Sequence, residues 1–348
     1  MDFGGRRYAM VLLPLPADAK TRTSLLVHEA MHTFQPEQLP RAAITEAGEG
    51  GDLLETDSAR VWLFLEFKAL ASAMKNLGEL QRRAAQDAVV FRARRDALAL
   101  SRERERLDGL DLSEGLPEYT GWRLSGMPVD TLVRRLNGAS SSTVSWVRAI
   151  GYWTGPAYGY VLDQLAGDRW RAGARAGRRL PELLADAVVA SAPSEYDPSS
   201  RSARDAAARW SQYGGDRLFE FEHLRSTARK QRIDSLRALF IAGPVLRVVP
   251  NKLQVAFDPN GQVSFGGEGT VMRGFRWAGA DGSELVAPDG ALVGPQWNWV
   301  QVPLGAAALP EGTLASPRVV EGAGWKLSLP AGWMVTRVDG RIEVRPPG

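Results

Sequence analysis

The chain has 348 residues, of which 44% are hydrophobic, 24% charged and 8% aromatic. Its length suggests about two domains, and its composition excludes a wholly disordered, collagen-like or membrane-embedded protein. The chain has 43 Lys and Arg against 40 Asp and Glu, a net charge of +3, and both signs are mixed along the sequence, so no nucleic-acid partner is expected. The absence of cysteine excludes disulfides and thiolate chemistry.

The predicted elements begin with a short strand and a helix. Tyr8 to Leu15 is an apolar run of strand length and is expected to be buried. From Ala17 to Gln35 apolar side chains crowd one side, which predicts a helix that Pro36 and Pro40 end. No stretch approaches the roughly 18 uninterrupted apolar residues of a membrane-spanning helix, so no transmembrane segment is expected.

Most of the following 200 or so residues have helical patterns. A Gly-rich loop covers Glu46 to Asp52, and Ser58 then predicts the N-cap of one long helix from Ala59 to about Glu105, apolar in its first half. Shorter helices are predicted at Glu114–Leu124, Val129–Leu136, Thr143–Ile150, Pro156–Leu165, Pro181–Ala190 and Ser202–Gln212, with a last long one at Asp216–Ile241.

The pattern changes after Gly243-Pro244. Residues 245–348 alternate apolar and polar side chains between hairpin signals, the clearest being Asp339-Gly340 between two apolar runs. The sequence therefore predicts an α+β protein: a mainly helical domain with a small N-terminal β element, residues 1–243, followed by a small all-β accessory domain, residues 244–348.

Two of the three histidines form the motif His28-Glu29-Ala30-Met31-His32 on the first predicted helix. Four residues advance a helix by slightly more than one turn, so both imidazoles project from one face and can bind one Zn²⁺. Glu29, one position round the helix, can reach a water on that metal, take its proton and pass it to a leaving amine. The alternative is a helix with two buried histidines bonded to backbone and a solvent-facing Glu29.

A catalytic zinc site takes a third protein ligand and leaves one position for water. The third histidine, His223, lies in a charged predicted helix where a surface or outer role is expected, so glutamate is the better candidate. With these residues the sequence resembles the gluzincin metallopeptidases, in which the H-E-x-x-H motif is accompanied by a Glu on a helix further along the chain. The segment Leu112-Ser113-Glu114-Gly115-Leu116-Pro117-Glu118-Tyr119 resembles the E-G-L-A-E-Y motif of bacterial peptidase-MA-like proteins.

The resemblance covers residues 8 to about 245 and adds two roles. It implies that Glu114 binds the zinc and that Glu118, one turn later, hydrogen-bonds a ligand histidine and fixes its tautomer. Pro117 stands where the family usually has Ala. Because proline is accommodated in the first helical turn, the helix is expected to begin near Ser113 or Glu114.

A tyrosine often stabilises the oxyanion of the tetrahedral intermediate in such enzymes. Tyr158 is the candidate here, with Tyr152 and Tyr160 as rivals, and aromatic packing is the alternative role for all three. The strand from Tyr8 to Leu15 has two interpretations: a rim of the cleft that pairs with an extended substrate backbone, or a core strand. The Arg-rich stretch from Arg169 to Arg179 is expected to be solvated rather than to bind an acidic partner.

The expected function is a zinc-dependent peptidase with one Zn²⁺ per chain and a peptide or protein substrate. A catalytically inactive, zinc-stabilised binding or scaffold protein is the alternative, and hydrolysis of a non-peptide amide or ester uses the same chemistry. The resembling proteins are commonly exported, so an extracytoplasmic location with the signal missing from this chain is favoured over a cytoplasmic one.

Overall fold

The computed structural model describes residues 2–38, 53–142, 145–191, 203–259 and 262–347. The chain divides into two compact units, residues 1–226 and 227–348, and the division falls inside one long helix. In the described ranges the first unit is helical apart from one short hairpin, and the second consists mainly of strands. The predicted α+β class, with helices first and strands second, is confirmed.

The helical unit opens with an antiparallel hairpin of β1 (Asp2–Phe3) and β2 (Arg6–Arg7). Its helices are α1 (Ala19–Gln38), α2 (Asp57–Lys75), α3 (Gly78–Asp96), α4 (Ser101–Ser113), α5 (Gly115–Ser125), α6 (Val129–Asn137), α7 (Trp146–Ala149), α8 (Gly151–Ala166), α9 (Trp170–Arg175), α10 (Leu180–Ala190), α11 (Ala203–Gln212) and α12 (Gly215–Arg237). Helix α12 continues into a π-helical turn, Ala238–Ala242.

The apolar core of this unit surrounds α2. Nearly every side chain of α2 from Ala59 to Met74 is buried, because α3, α6 and α8 pack around it. The N-cap of α2 is Thr56, whose hydroxyl accepts a hydrogen bond from the Ala59 amide, and not Ser58 as predicted. A helix that is apolar on most of its surface is stable only when other helices enclose it in this way.

The predicted single helix from Ala59 to Glu105 is wrong, since the chain forms three helices there. Helix α2 ends at Lys75, the next residue, Asn76, is extended, and Gly78 has a φ of 60°, so the chain reverses before α3. A second turn after Asp96 separates α3 from α4. The reversal lets α3 cover one apolar side of α2, which a straight helix would leave in water.

The predicted buried strand from Tyr8 to Leu15 is also wrong. No described strand pairs with this segment, and its side chains are exposed, for example 90% for Leu12 and 79% for Leu13. The segment lies along α1, because Arg7 donates to the Thr33 carbonyl and Arg22 to the carbonyl of Pro16. A strand needs a partner for its backbone groups, and the small β element is instead the hairpin before this segment.

Other predicted elements differ at their ends. Helix α1 includes Pro36 and ends at Gln38, and α5 starts at Gly115, which puts Pro117 in its first turn as expected. The predicted loop from Glu46 to Asp52, and Pro40, lie outside the described residues.

None of the described helices combines the length and apolar character needed to cross a membrane.

The second unit contains two sheets with a shared apolar core. The larger has the order β11-β14-β15-β3-β10-β9-β6-β5 and the smaller β12-β13-β8-β7-β4, and the one parallel pairing among the described strands joins β15 and β3. The strands are β3 (Val245–Val248), β4 (Val255–Ala256), β5 (Val263–Ser264), β6 (Thr270–Met272), β7 (Phe275–Ala278), β8 (Glu284–Ala287), β9 (Ala291–Val293), β10 (Val300–Pro303), β11 (Gly312–Thr313), β12 (Arg318–Gly322), β13 (Trp325–Leu329), β14 (Met334–Val338) and β15 (Arg341–Arg345).

The hairpin predicted at Asp339-Gly340 is confirmed. These two residues join β14 to β15 with φ values of 49° and 79°. Positive φ at both central positions is the type I′ geometry that Asp-Gly adopts readily. All-β structure is therefore present where the sequence predicts it.

Candidate metal centre

The metal-binding motif lies where α1 crosses α5. His28 and His32 share one face of α1, and that face packs against α5. The crossing is close because α5 has no side chain at Gly121, where a Cβ would lie 2.5 Å from the Ser24 carbonyl oxygen. Glu114 is the residue immediately before α5, so it is placed opposite the two imidazoles.

Three ligand atoms meet at this crossing. The Nε2 atoms of His28 and His32 are 3.0 Å apart, and Glu114 Oε2 lies 3.3 Å from the first and 3.5 Å from the second. Two ligand atoms bound at about 2.0–2.1 Å to a tetrahedral zinc are about 3.3 Å apart. The spacing of the three atoms therefore matches three corners of a tetrahedral zinc site.

Hydrogen bonds on the outer side of each imidazole assign its tautomer. His28 Nδ1 lies 3.1 Å from Glu118 Oε2, and a carboxylate only accepts, so this nitrogen donates. His32 Nδ1 lies 2.9 Å from Gln35 Oε1. The Gln35 amide nitrogen donates to the Leu112 and Ser113 carbonyls, which orients its oxygen toward His32. In the neutral form of each ring, Nδ1 therefore carries the proton and Nε2 presents a lone pair to the centre.

With both rings neutral, the three atoms form a set of acceptors with no donor of its own. Glu114 Oε2 is buried and accepts no hydrogen bond. Burial lowers the pKa of His28, but the carboxylates of Glu114 and Glu118 outweigh it and raise that pKa to about 9. The Glu114 carboxylate likewise raises the pKa of His32. Such a site attracts a cation, either a proton or a metal ion.

The described residues contain one group of at least three His, Cys, Asp or Glu side chains whose ligand atoms can meet at one ion. It consists of His28, His32 and Glu114, with those atoms within 4.8 Å of one another. The sequence motif predicts His28 and His32, the resemblance implies Glu114, and the three side chains lie together in the structure. His28 is 3% exposed and Glu114 14%, whereas His32 is 31% exposed, so the centre opens toward solvent on the His32 side.

Glu118 occupies the outer position that the resemblance implies. Its Oε2 accepts from His28, and its Oε1 accepts from the Trp122 indole at 2.9 Å. Burial raises the pKa of Glu118, but His28, Trp122 and the nearby Arg135 outweigh that effect and lower it. The carboxylate is thus ionised at neutral pH and holds the His28 ring.

Glu29 is half-buried and lies next to His28 on α1. It forms no hydrogen bond or ion pair with any described residue. Its negative charge acts on the hydroxyl of Tyr152, whose pKa is raised mainly by burial and by the Glu114 carboxylate, with a further contribution from Glu29. Glu29 is therefore close to the candidate metal-binding group, and no described residue pairs with its carboxylate.

The tyrosine at the centre is Tyr152, and the prediction of Tyr158 is wrong. Tyr152 stacks on the His28 ring with centroids 5.2 Å apart, and its hydroxyl lowers the pKa of Glu114. Tyr158 is fully buried, and its hydroxyl donates to Glu66 at 2.8 Å in the core around α2. Six positions turn a helix by about 240°, so Tyr152 and Tyr158 lie on different sides of α8. Tyr160 packs edge-on against Tyr119.

Glycines allow α8 to bring Tyr152 to this position. A Cβ at Gly151 would lie 2.5 Å from the Leu110 carbonyl oxygen and 3.2 Å from Glu114 Cβ. A Cβ at Gly155 would overlap the Gly115 backbone. These close contacts press α8 against the junction of α4 and α5, which carries Glu114.

Two residues of the centre, Gln35 and Trp122, were not among the predicted site residues. Gln35 follows His32 by three positions and Trp122 follows Glu118 by four, so helical spacing alone would have put each beside its partner. The remaining histidine, His223, is on α12 with its side chain 63% exposed, 3.6 Å from Asp57, which is the surface position expected.

Comparison of the chain with protein-family models, with curated proteins and with solved structures gives no match. The resemblance to gluzincins therefore rests on the motif residues themselves. Their geometry is an independent observation, because it does not depend on any relative.

Proposed function

We propose that this protein is a zinc-dependent peptidase of the gluzincin type. The observation that carries the proposal is the convergence of three lone-pair atoms, from His28, His32 and Glu114, at the separations of a tetrahedral zinc site. Two outer groups, Glu118 and Gln35, hold the imidazoles in the tautomer that a metal requires. Buried histidines bonded to backbone, the alternative, would not place both Nε2 atoms beside a carboxylate.

The donor set supports zinc over harder cations. Two imidazole nitrogens and one carboxylate oxygen suit zinc, whereas calcium and magnesium take six or more oxygen ligands. Three protein ligands leave a fourth position, as in catalytic rather than structural zinc sites. A zinc ion held there would supply Lewis-acid activation of water and of the scissile carbonyl.

Glu29 is proposed as the general base and acid. Its carboxylate is next to the centre and has no partner among the residues that the structure describes, so it can accept a proton from the attacking water and then donate it to the leaving amine. Tyr152 orients Glu114 through its hydroxyl and covers one face of His28. The exposed edge at His32 gives a substrate its approach.

The test combines metal content with turnover. The wild-type protein, Glu29→Gln and Glu114→Ala are each dialysed against a weak chelator, and zinc per chain is measured by elemental mass spectrometry. Turnover is measured on a quenched fluorescent peptide library. We expect one zinc per chain in wild type and in Glu29→Gln, little in Glu114→Ala, and turnover in wild type alone. Glu37→Gln, an exposed Glu on the same helix, is the matched control and should behave as wild type.

The other outcomes would overturn the metal site, the catalytic role or the peptide substrate, in turn. Well-folded wild type without zinc would overturn the metal site. One zinc per chain without turnover of peptides, amides or esters would favour the zinc-stabilised scaffold. Turnover of esters or non-peptide amides alone would keep the site and change the substrate.

A further inference from the structure

A cavity lies between α1, α5 and α9, away from the face that carries Glu29. It has a volume of about 160 Å³, and Met31, Leu116, Tyr119, Trp170 and Ala174 form its walls. Met31 is two positions from Glu29, which is about 200° round the helix, so the cavity is on the other side of α1. Gln35 borders both the cavity and the metal-binding group.

The size and walls of the cavity suit one apolar ring. Trp170 and Ala174 are 5% and 3% exposed, and Tyr119 is 5% exposed, so the inner part is enclosed by carbon atoms. The Tyr119 hydroxyl is already bonded to Asp163, and the Trp170 indole donates to the same carboxylate. An apolar protein cavity of about 150 Å³ accommodates benzene.

Two arginines lie at the rim of the cavity, and only one of them forms ion pairs with described residues. Arg171 pairs with Asp163 and Asp168 and donates to the Tyr119 hydroxyl. Arg175, one turn further along α9, is exposed and forms no ion pair with any described residue. One guanidinium beside an apolar cavity is therefore available to an anionic group, and a guanidinium favours carboxylates.

We propose that this cavity binds a small aromatic carboxylate, with the ring between Leu116 and Trp170 and the carboxylate at Arg175. The site is separate from the proposed catalytic face and does not depend on the metal. The ring is recognised by burial among apolar side chains, and the carboxylate by a charge-assisted hydrogen bond.

The experiment measures binding of two probes to the full chain by calorimetry at pH 7. The probes are 3-phenylpropionate and 3-phenylpropan-1-ol, which share the ring and differ in charge. We expect wild type to bind the acid about tenfold more tightly than the alcohol, because a hydrogen bond to a charged group contributes that much. Arg175→Gln should remove this preference by weakening acid binding about tenfold. Arg169→Gln, an exposed arginine outside the cavity, is the matched control and should keep the preference.

A second measurement locates the ring. The Trp170 indole N–H resonance, assigned with Trp170→Phe, should shift when either probe is added, and Ala174→Phe should abolish both binding and shift by filling the cavity. The folding of each variant is checked by circular dichroism. The proposal is overturned if wild type binds neither probe, if it binds acid and alcohol equally, if Arg175→Gln retains the preference, or if the Trp170 resonance does not move on binding.

Discussion

The two histidines that we propose as zinc ligands are held by different groups, and this difference can be tested one residue at a time. His28 donates to the ionised Glu118, whereas His32 donates to the neutral amide of Gln35. An outer acceptor fixes the orientation of a ligand imidazole and raises its basicity.

Gln35→Leu should weaken zinc binding about tenfold to a hundredfold, because His32 loses the acceptor that orients it. Competition with a chromophoric chelator measures the affinity. Gln35→Glu keeps an acceptor for His32 but loses the donor to the Leu112 and Ser113 carbonyls, so it should weaken zinc binding less than Gln35→Leu does. Equal affinities for the Leu and Glu variants would mean that Gln35 does not orient His32.

Zinc binding should release a proton near neutral pH. In the metal-free protein the pKa of His28 is about 9, so its imidazole is protonated at pH 7, and the proton must leave before Nε2 can bind a metal. Apparent zinc affinity should therefore rise about tenfold per pH unit from pH 7 toward 9 and level off above. Calorimetry in buffers of different ionisation enthalpy counts the released proton. Affinity that is flat over this range would contradict the assignment.

At the residue scale, the sequence predicts the geometry correctly where spacing along one helix decides it. His28 and His32 share a face because they are four positions apart, and no tertiary information is needed for that. The choice between Tyr152 and Tyr158 depends on which side of α8 faces α1 and α5. That helix is buried along most of its length, so its composition does not distinguish one side from another.

Packing of whole helices places Glu114, and glycines set how closely the helices approach. Gly155→Ala should shift α8 away from the α4–α5 junction, since the added methyl group would overlap the Gly115 backbone. We expect destabilisation of about 1–3 kcal/mol from overpacking, with weaker zinc binding. Chemical denaturation and chelator competition measure the two effects.

Gly109→Ala is the control for that substitution. Gly109 is also in a helix, but a Cβ there has no atom within 4 Å. Alanine should stabilise this position by about 0.5–1 kcal/mol and leave zinc affinity unchanged. If both alanine variants behaved alike, close approach of α8 would not be what positions Glu114.

Element boundaries that depend on tertiary contacts were the ones predicted wrongly. The continuous pattern from Ala59 to Glu105 has no strong stop signal except Gly78, and the reversal there is stabilised by packing of α3 on α2. The apolar run from Tyr8 to Leu15 resembles a strand, but a strand requires a partner that no described strand supplies. Local signals sufficed for the Asp339-Gly340 hairpin, because the turn geometry itself selects those residues.

At the scale of the whole chain, the two largest apolar cores form from separate stretches of sequence. One contains residues between Leu54 and Leu218, and the other contains residues between Leu246 and Val344. The metal-binding group belongs to the first unit. A ligand that binds only the folded state stabilises the part of the structure that holds it.

Zinc should therefore raise the unfolding temperature of the helical unit without changing that of the β unit. At a free zinc concentration of 100 times Kd the gain is about 2.7 kcal/mol. Circular dichroism at 222 nm follows the helices, and the Trp333 indole resonance follows the β unit, since this side chain is 1% exposed and donates to Asp281. Glu114→Ala should abolish the shift. Equal shifts of both signals would show that the units unfold together, and no shift in well-folded wild type would remove zinc from the proposed function.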